Sequence, residues 1–397
     1  MIKNITIDEL KIGMYVKDVT WGNDKFKVKT QGIVKSTKTI EQLKKQGVVS
    51  LVVEYSPAGE PTEMAVDNSQ AETEESQSTS TTTDLKTSIE QELSQSCVIY
   101  DNAAAQMNEM FEQVKTGKAL NAAAINELAS EITDSIIRNE YAITMLTRIR
   151  SQSTYQWEHA INCSVLLCGF SLYLGLQKET AQQIALGGML KDVGMAKVPP
   201  GIIQNPAAIS DFDMKAVKNH VKWGLEANKK DGLNNKIVTD MVVNHHERLD
   251  GSGYPRGIAK NSLSKLARMT AIVDVYDAFT GDKPYKPGEP PISALRYLMS
   301  NKHLFDQDLV QQFVKYLGIH PVGSVVKLSN DKLAIVTQGN RKNPVKPQVK
   351  TFYNLKHNRY TTSTDCDLAE EDHKIIASVN PEDHNINLNK VIRDVIS

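Results

Sequence analysis

The chain has no charge excess of either sign: 46 lysines and arginines face 47 acids, a net charge of −1 over 397 residues. That balance excludes bulk attraction to a nucleic-acid backbone or an anionic membrane, so no polymeric nucleic acid is expected as a partner. Cysteine is scarce. Cys97, Cys163, Cys168 and Cys366 have neither metal-site spacing nor the density of a disulfide framework, which points to reduced, buried thiols. No stretch approaches the ~18 consecutive apolar residues of a membrane span. The first residues, MIKNITIDEL, lack the apolar region of a signal peptide. A cytoplasmic protein is expected. The P-loop pattern and the glycine-rich dinucleotide fingerprint are both missing. Hydrophobic residues, at 40%, suffice for a real core, and the length predicts two or three domains at roughly 100–200 residues each.

Residues 1–55 read as a small β-rich module. GMYVKD at Gly13–Asp18 and VVSLVV at Val48–Val53 are strand-like, one helix is expected near Thr39–Gln46, and Trp21 and Phe26 are candidates for its core. Residues 56–84 hold no lysine or arginine and little that is apolar. Such a segment cannot bury enough surface to offset its ordering entropy and is expected to be a disordered acidic linker. From 85 to 320 the pattern is helical. Ile125, Leu128, Ala129, Ile132 and Ile136 recur at three- and four-residue spacing, and apolar runs such as Ala160–Leu174 and Met269–Phe279 add further helices. From 321 to 397 the runs VGSVVKL, LAIVTQG, PQVKTFY and KIIASV, broken by Asn, Asp, Gly and Pro, predict a C-terminal β-hairpin module. The fold class is therefore mainly α: a multi-helix bundle with β-containing modules before and after it.

Inside the helical segment lie His159, Asp192, His220, the pair His245 and His246, and Asp274. They are separated by 33, 28 and 25 residues up to His245, then by 28 from His246 to Asp274. A helix plus a turn has about this length, so each can point inward from a different helix of one bundle. Taken singly, His159, His220 and Asp192 have bland readings as satisfied core or helix-terminal residues. Asp274, within the apolar MTAIVDVYDAF, resists one, because a buried carboxylate is costly unless paired or metal-bound. The donor set suits Fe, Mn, Zn or Ni.

The histidine pair runs directly into a loop, HHERLDGSGYP. The helix must stop there if the pocket is to stay open. Gly251 and Gly253 are expected to adopt positive φ, and Pro255 to stiffen the turn and keep Tyr254 extended. Asp250, Gly251, Gly253, Tyr254 and Pro255 would then form a shaped loop at the mouth.

This loop resembles the signature of HD-GYP proteins, a branch of the HD-domain phosphohydrolases. YQWEHAINCSVLL, VKNHVKWG and IVDVYDAFTGDKPY extend the likeness over about Asp84–Leu317, and the N-terminal module is similar to the small domain often found ahead of bacterial HD-GYP domains. The resemblance implies an HD-domain bundle and hydrolysis of cyclic di-GMP to pGpG or GMP at a two- or three-metal centre. One metal would be held by His159, Asp192, Asp274 and the residue at 191. Asp192 would bridge to a second, held by His220, His245 and His246. Tyr155 stands where three-metal members have an acid, so no third metal is expected. Lys283 and Lys286 fall at positions whose basic residues hold substrate phosphates. Partners implied are cyclic di-GMP and, for the loop, GGDEF-type diguanylate cyclases; a homodimer is also possible in this class.

The second family signature, His-Asp-x-Gly-Lys, reads KDVGM here. Lys191 replaces a metal-binding histidine and Met195 a phosphate-facing lysine. A protonated amine has no lone pair and repels a divalent cation. One ion rather than two is therefore expected, with Lys191 paired to Asp192 and Asp274 in place of the missing metal. Two readings follow: a phosphodiesterase impaired by Lys191 and Met195, or a catalytically inactive module that binds cyclic di-GMP or a diguanylate cyclase through the loop.

Overall fold

The computed structural model describes residues 2–11, 15–21, 32–34, 37, 40, 41, 44, 48–54, 86–149, 155–203, 210–259, 262–283 and 287–396. They fall into two units, Met1–Ser80 and Thr81–Ser397. The expected linker at 56–84, Phe26 and the side chain of Trp21 lie outside this description, as does most of the helix expected near Thr39–Gln46, of which 40, 41 and 44 are helical.

In the first unit, β1 (Ile2–Thr6), β2 (Tyr15–Trp21), β3 (Gly32–Ile33) and β4 (Val48–Glu54) form an antiparallel sheet of order β1-β4-β2-β3. The strand-like runs of the sequence become β2 and β4. Ile5, Leu10 and Val34 are buried beside them.

The second unit begins with two long helices, α1 (Ile89–Thr116) and α2 (Ala122–Leu146). Ser88 starts α1 with a reciprocal capping box to Gln91, and Gly117 ends it at φ 73°. Helix α2 kinks at Asn139, whose side chain accepts from the Tyr141 N–H and donates to the Thr87 carbonyl, so the broken turn keeps its hydrogen bonds. Next come α3 (Tyr155–Tyr173), α4 (Lys178–Leu190), a 3-10 turn (Val193–Lys197), α5 (Pro200–Ile203), α6 (Asp211–Lys218), α7 (His220–Lys230) and α8 (Lys236–Asn244). After the signature loop follow α9 (Lys265–Thr280), α10 (Pro291–Ser300) and α11 (Gln307–Leu317).

Helix α3 is buried from Glu158 through Ser171, and α9 is buried on nearly every side. Neither has a clear polar face, as befits helices at the centre of a bundle. The remaining helices wrap these two, and one hydrophobic core joins α1–α4 and α8 to the C-terminal sheet. That sheet comprises β5 (Val325–Leu328), β6 (Lys332–Gln338), β7 (Gln348–Asn354), β8 (Arg359–Asp367) and β9 (Ile375–Ser378), all antiparallel, in the order β8-β7-β6-β5-β9. A final helix, α12 (Leu388–Ile396), packs on it. Four of the five strands match the β-like runs read from the sequence. The fifth, β8 (RYTTSTDCD), is a polar edge strand without an apolar face, so alternation could not reveal it.

Candidate metal centre

Each expected ligand sits where a helix begins or ends, or on the central helix. His159 is in the first turns of α3, Asp192 follows α4, His220 opens α7, His245 and His246 follow α8, and Asp274 lies midway along α9. All converge on one pocket. Asp192, His220, His245 and His246 bring one ligand atom each to within 4.8 Å of one another.

The chemistry of that quartet is specific. The Nδ1 of His220 donates to the Val217 carbonyl at 2.7 Å, and that of His245 to the Met241 and Val242 carbonyls at 3.1 and 2.9 Å. Both rings therefore present an Nε2 lone pair to the pocket. These two Nε2 atoms lie 3.2 Å apart, and Asp192 Oδ1 is 3.5 Å from one and 3.3 Å from the other. Two imidazole Nε2 atoms and a carboxylate oxygen converging on one point make a donor set that fits a divalent metal. Burial pushes His220 down to about 4 and holds His246 well below the usual histidine range, which keeps both rings neutral, as ligation requires.

Beside the quartet the pocket is closed by an amine. Lys191 is wholly buried; its ammonium donates to Asp192 Oδ2 and to Asp274 Oδ1 at 2.5 Å, and lies 3.0 Å from His159 Nε2. Burial alone would discharge the lysine. The two carboxylates outweigh it and hold its pKa well above the ordinary value. Asp192 and Asp274 are likewise held well below the usual carboxylate range by Lys191, against the opposing effect of burial. The ammonium thus occupies the space among His159, Asp192 and Asp274.

Several supporting residues escaped the sequence reading. Asp277, fully buried, bonds His159 Nδ1 at 2.7 Å and fixes that ring. It lies one helical turn after Asp274 in an apolar helix, so the reasoning that singled out Asp274 applied to it equally. Cys163, a turn after His159, places its Sγ 3.7 and 3.8 Å from the ring nitrogens, and with His159 and Asp274 it forms a second group of ligand type. Spacing among cysteines could not show this, because the other donors come from distant elements. Tyr155 stacks on His159 at 5.9 Å.

The loop is built on Glu247. Its buried carboxylate accepts the N–H groups of Arg256 at 2.8 Å and Ile258 at 3.1 Å, while the Arg256 guanidinium bonds Asn244 at 2.7 Å. Gly251 adopts φ 80°, as expected. Gly253 does not adopt positive φ, contrary to expectation. It is needed for close approach, since a Cβ there would lie 2.5 Å from Glu247 Cα and from the His246 carbonyl. The Tyr254–Pro255 peptide is cis, and Tyr254 stacks on His246 at 4.5 Å and 28°. Asp250 faces solvent and accepts from Ser252, ending the turn rather than entering the pocket. Lys283 follows α9 and is half-buried; Lys286 lies outside the described residues.

A helical bundle here gathers a histidine–aspartate centre from helix ends. Residues 143–309 match the HD domain, 325–387 the KOW domain associated with HD domain, and 2–125 a domain of unknown function, DUF3391. The chain is 29% identical to the cyclic di-GMP phosphodiesterase PA4108 of Pseudomonas aeruginosa, over 90% of this chain and 86% of that one. It is 32% identical to the cyclic di-GMP phosphodiesterase response regulator RpfG of Xanthomonas campestris, over 36% of this chain and 38% of the relative. It is 28% identical to the 3′3′-cGAMP-specific phosphodiesterase 1 of Vibrio cholerae, over 36% of this chain and 33% of the relative. The helical segment is thus similar to HD domains and to cyclic dinucleotide phosphodiesterases. Among the described residues no helix is long and apolar enough to cross a membrane.

Proposed function

We propose that the helical domain binds a cyclic dinucleotide, cyclic di-GMP foremost, at a one-metal site and hydrolyses it slowly. The observation that carries this reading is the Lys191 ammonium, 2.5 Å from Asp274, bonded to Asp192 and 3.0 Å from His159, in the place of a first metal. The names of the relatives supply the substrate class.

Asp192, His220, His245 and His246 would hold the ion, which would neutralise phosphodiester oxygens and acidify a water. Lys191 contributes a single fixed positive charge on the opposite side of Asp192. It stabilises developing negative charge but cannot share a nucleophile, because an ammonium has no lone pair or open coordination position and this one is held by Asp192 and Asp274. Tyr254, stacked on His246, places an aromatic ring beside these ligands.

A second reading is supported by the loop itself. Glu247, Asn244 and Arg256 hold it by contacts that do not involve Lys191 or Met195, so recognition of the nucleotide or of a GGDEF-type cyclase survives even if turnover is nil.

The test is metal content and turnover of the purified protein with Mn or Fe. One tightly held ion per chain is expected, with slow or no release of pGpG or GMP from cyclic di-GMP, and 3′3′-cGAMP assayed alongside. Lys191→His combined with Met195→Lys should bind two ions and raise turnover at least tenfold. Two tightly bound ions in the parent would overturn the proposal.

A further inference from the structure

The site lacks one cation at its mouth and has another nearby that the sequence reading passed over. Met195 is half-buried, with its side chain packed on the core of the helical body, so position 195 offers nothing to an anion. Gly194 is in backbone contact with the start of α7: a Cβ built on it would lie 2.0 Å from the His220 carbonyl and 2.5 Å from the Gly224 nitrogen. The turn bearing Met195 and the chain entering His220 are therefore direct neighbours. Lys218, two residues before His220, is the last residue of α6. Its ammonium lies 5.0 Å from the centre of the Tyr254 ring, the ring that stacks on His246.

Lys218 is exposed, and among the described residues no carboxylate lies within ion-pair distance of it. An aromatic face positions an ammonium without neutralising it, so its full charge remains available to an anion. The metal quartet, the Tyr254 face and this amine thus line one side of the mouth.

We propose that Lys218 is a substrate-binding residue whose ammonium, seated over Tyr254, contacts a phosphate oxygen of the cyclic dinucleotide in place of the lysine absent at 195. This rests on the cyclic-dinucleotide reading above. It adds that affinity is set by a cation on α6 rather than on the 3-10 turn.

The experiment uses the full chain loaded with Mn. Binding of cyclic di-GMP is measured by calorimetry for the parent, Lys218→Gln, Lys218→Arg, Tyr254→Leu and, as a control, Lys197→Gln. Lys197 is two residues beyond Met195 on a turn of about three residues, so it projects to a different side. Lys218→Gln should bind about tenfold more weakly, with a shallower dependence on salt concentration and unchanged metal content. Lys218→Arg should restore most of the affinity, Tyr254→Leu should lose part of it, and Lys197→Gln should match the parent. If turnover is measurable, KM should rise while kcat holds. A parent that binds cyclic di-GMP while Lys218→Gln binds equally well overturns the role of Lys218 and leaves the functional reading standing. Loss of metal in Lys218→Gln also overturns it, by showing a structural role at α7. A parent that binds neither cyclic di-GMP nor 3′3′-cGAMP overturns both.

Discussion

At the scale of the residue, Lys191 decides what the pocket is. A lysine with no exposed surface is costly to bury, and it is tolerated here because two carboxylates accept its protons. Lys191→Met removes the cation and leaves Asp192 and Asp274 buried. Breaking such a set costs about 3–5 kcal/mol, measurable by urea unfolding with metal chelated. The pH dependence should change with it. In the parent the acids are held below their unfolded value, so their contribution is present above about pH 4 and lost only as pH falls further. Lys191 is held above its unfolded value, so its contribution is full below about pH 10 and lost as pH rises past the folded value. In Lys191→Met the strongest opposition to burial is gone and the acids rise, with only their histidine contacts still holding them down. The metal-free parent should lose stability from pH 7 to pH 5, because His220 and His246 stay neutral when folded while their unfolded counterparts take up protons, and the variant should lose less. A variant with the parent's pH dependence would show that the ammonium is not what holds the carboxylates charged. The pairing of Lys191 with Asp192 and Asp274 was expected from the resemblance, which puts the amine at a histidine's position beside those two acids, and the hydrogen bonds are there. Asp277 and Cys163 were legible in principle, one turn from residues already chosen, but no pattern of spacing marks a side chain whose partners lie 118 residues away, as those of His159 and Asp277 do.

At the scale of the element, the signature loop is a rigid piece rather than a flexible lid. The sequence foretold a shaped turn and the positive φ of Gly251, but not why Gly253 is glycine. That depends on the chain folding back onto Glu247, a contact between segments that a local reading cannot see. Gly253→Ala must displace the Glu247 backbone or the His246 carbonyl, both within 2.5 Å of the new Cβ. We expect at least tenfold weaker metal binding, since supporting residues of this kind are commonly worth about 10–100-fold in affinity. Glu247→Gln keeps the shape and weakens the acceptor. It should leave metal content intact and speed hydrogen exchange at the Arg256 and Ile258 amides, the two it accepts from. Unchanged exchange at both would mean the loop stands without the clamp.

At the scale of the whole molecule, the C-terminal sheet is fastened to the helical body beside the metal centre. Core residues of β5–β7 and α12 continue the core of α1–α4, yet an open cleft of about 670 Å³ runs along the junction, walled in part by Trp157 and Glu158 of α3 and by Val325 and Ser378 of the sheet. With the junction incompletely filled, polar fastenings matter more. The chief one is Arg341, in the β6–β7 connection. It bonds the buried Glu140 of α2 at 2.6 Å and lies 5.0 Å over the Tyr173 ring at the end of α3. Burial raises Glu140 and Arg341 lowers it, so the acid depends on its partner to remain charged. Arg341→Ala should destabilise the chain by about 2–4 kcal/mol, somewhat below a fully buried pair because the guanidinium keeps 22% exposure. Arg341→Ala with Glu140→Gln should recover part of that loss, because no uncompensated charge remains. Limited proteolysis between α11 and β5 should be faster in the single variant than in the parent or the double variant. Because α3 carries both His159 and the cleft wall, a loosened sheet should also weaken metal binding. If Arg341→Ala frees the sheet to protease but leaves metal affinity untouched, the sheet is an attachment to the centre and not one of its supports.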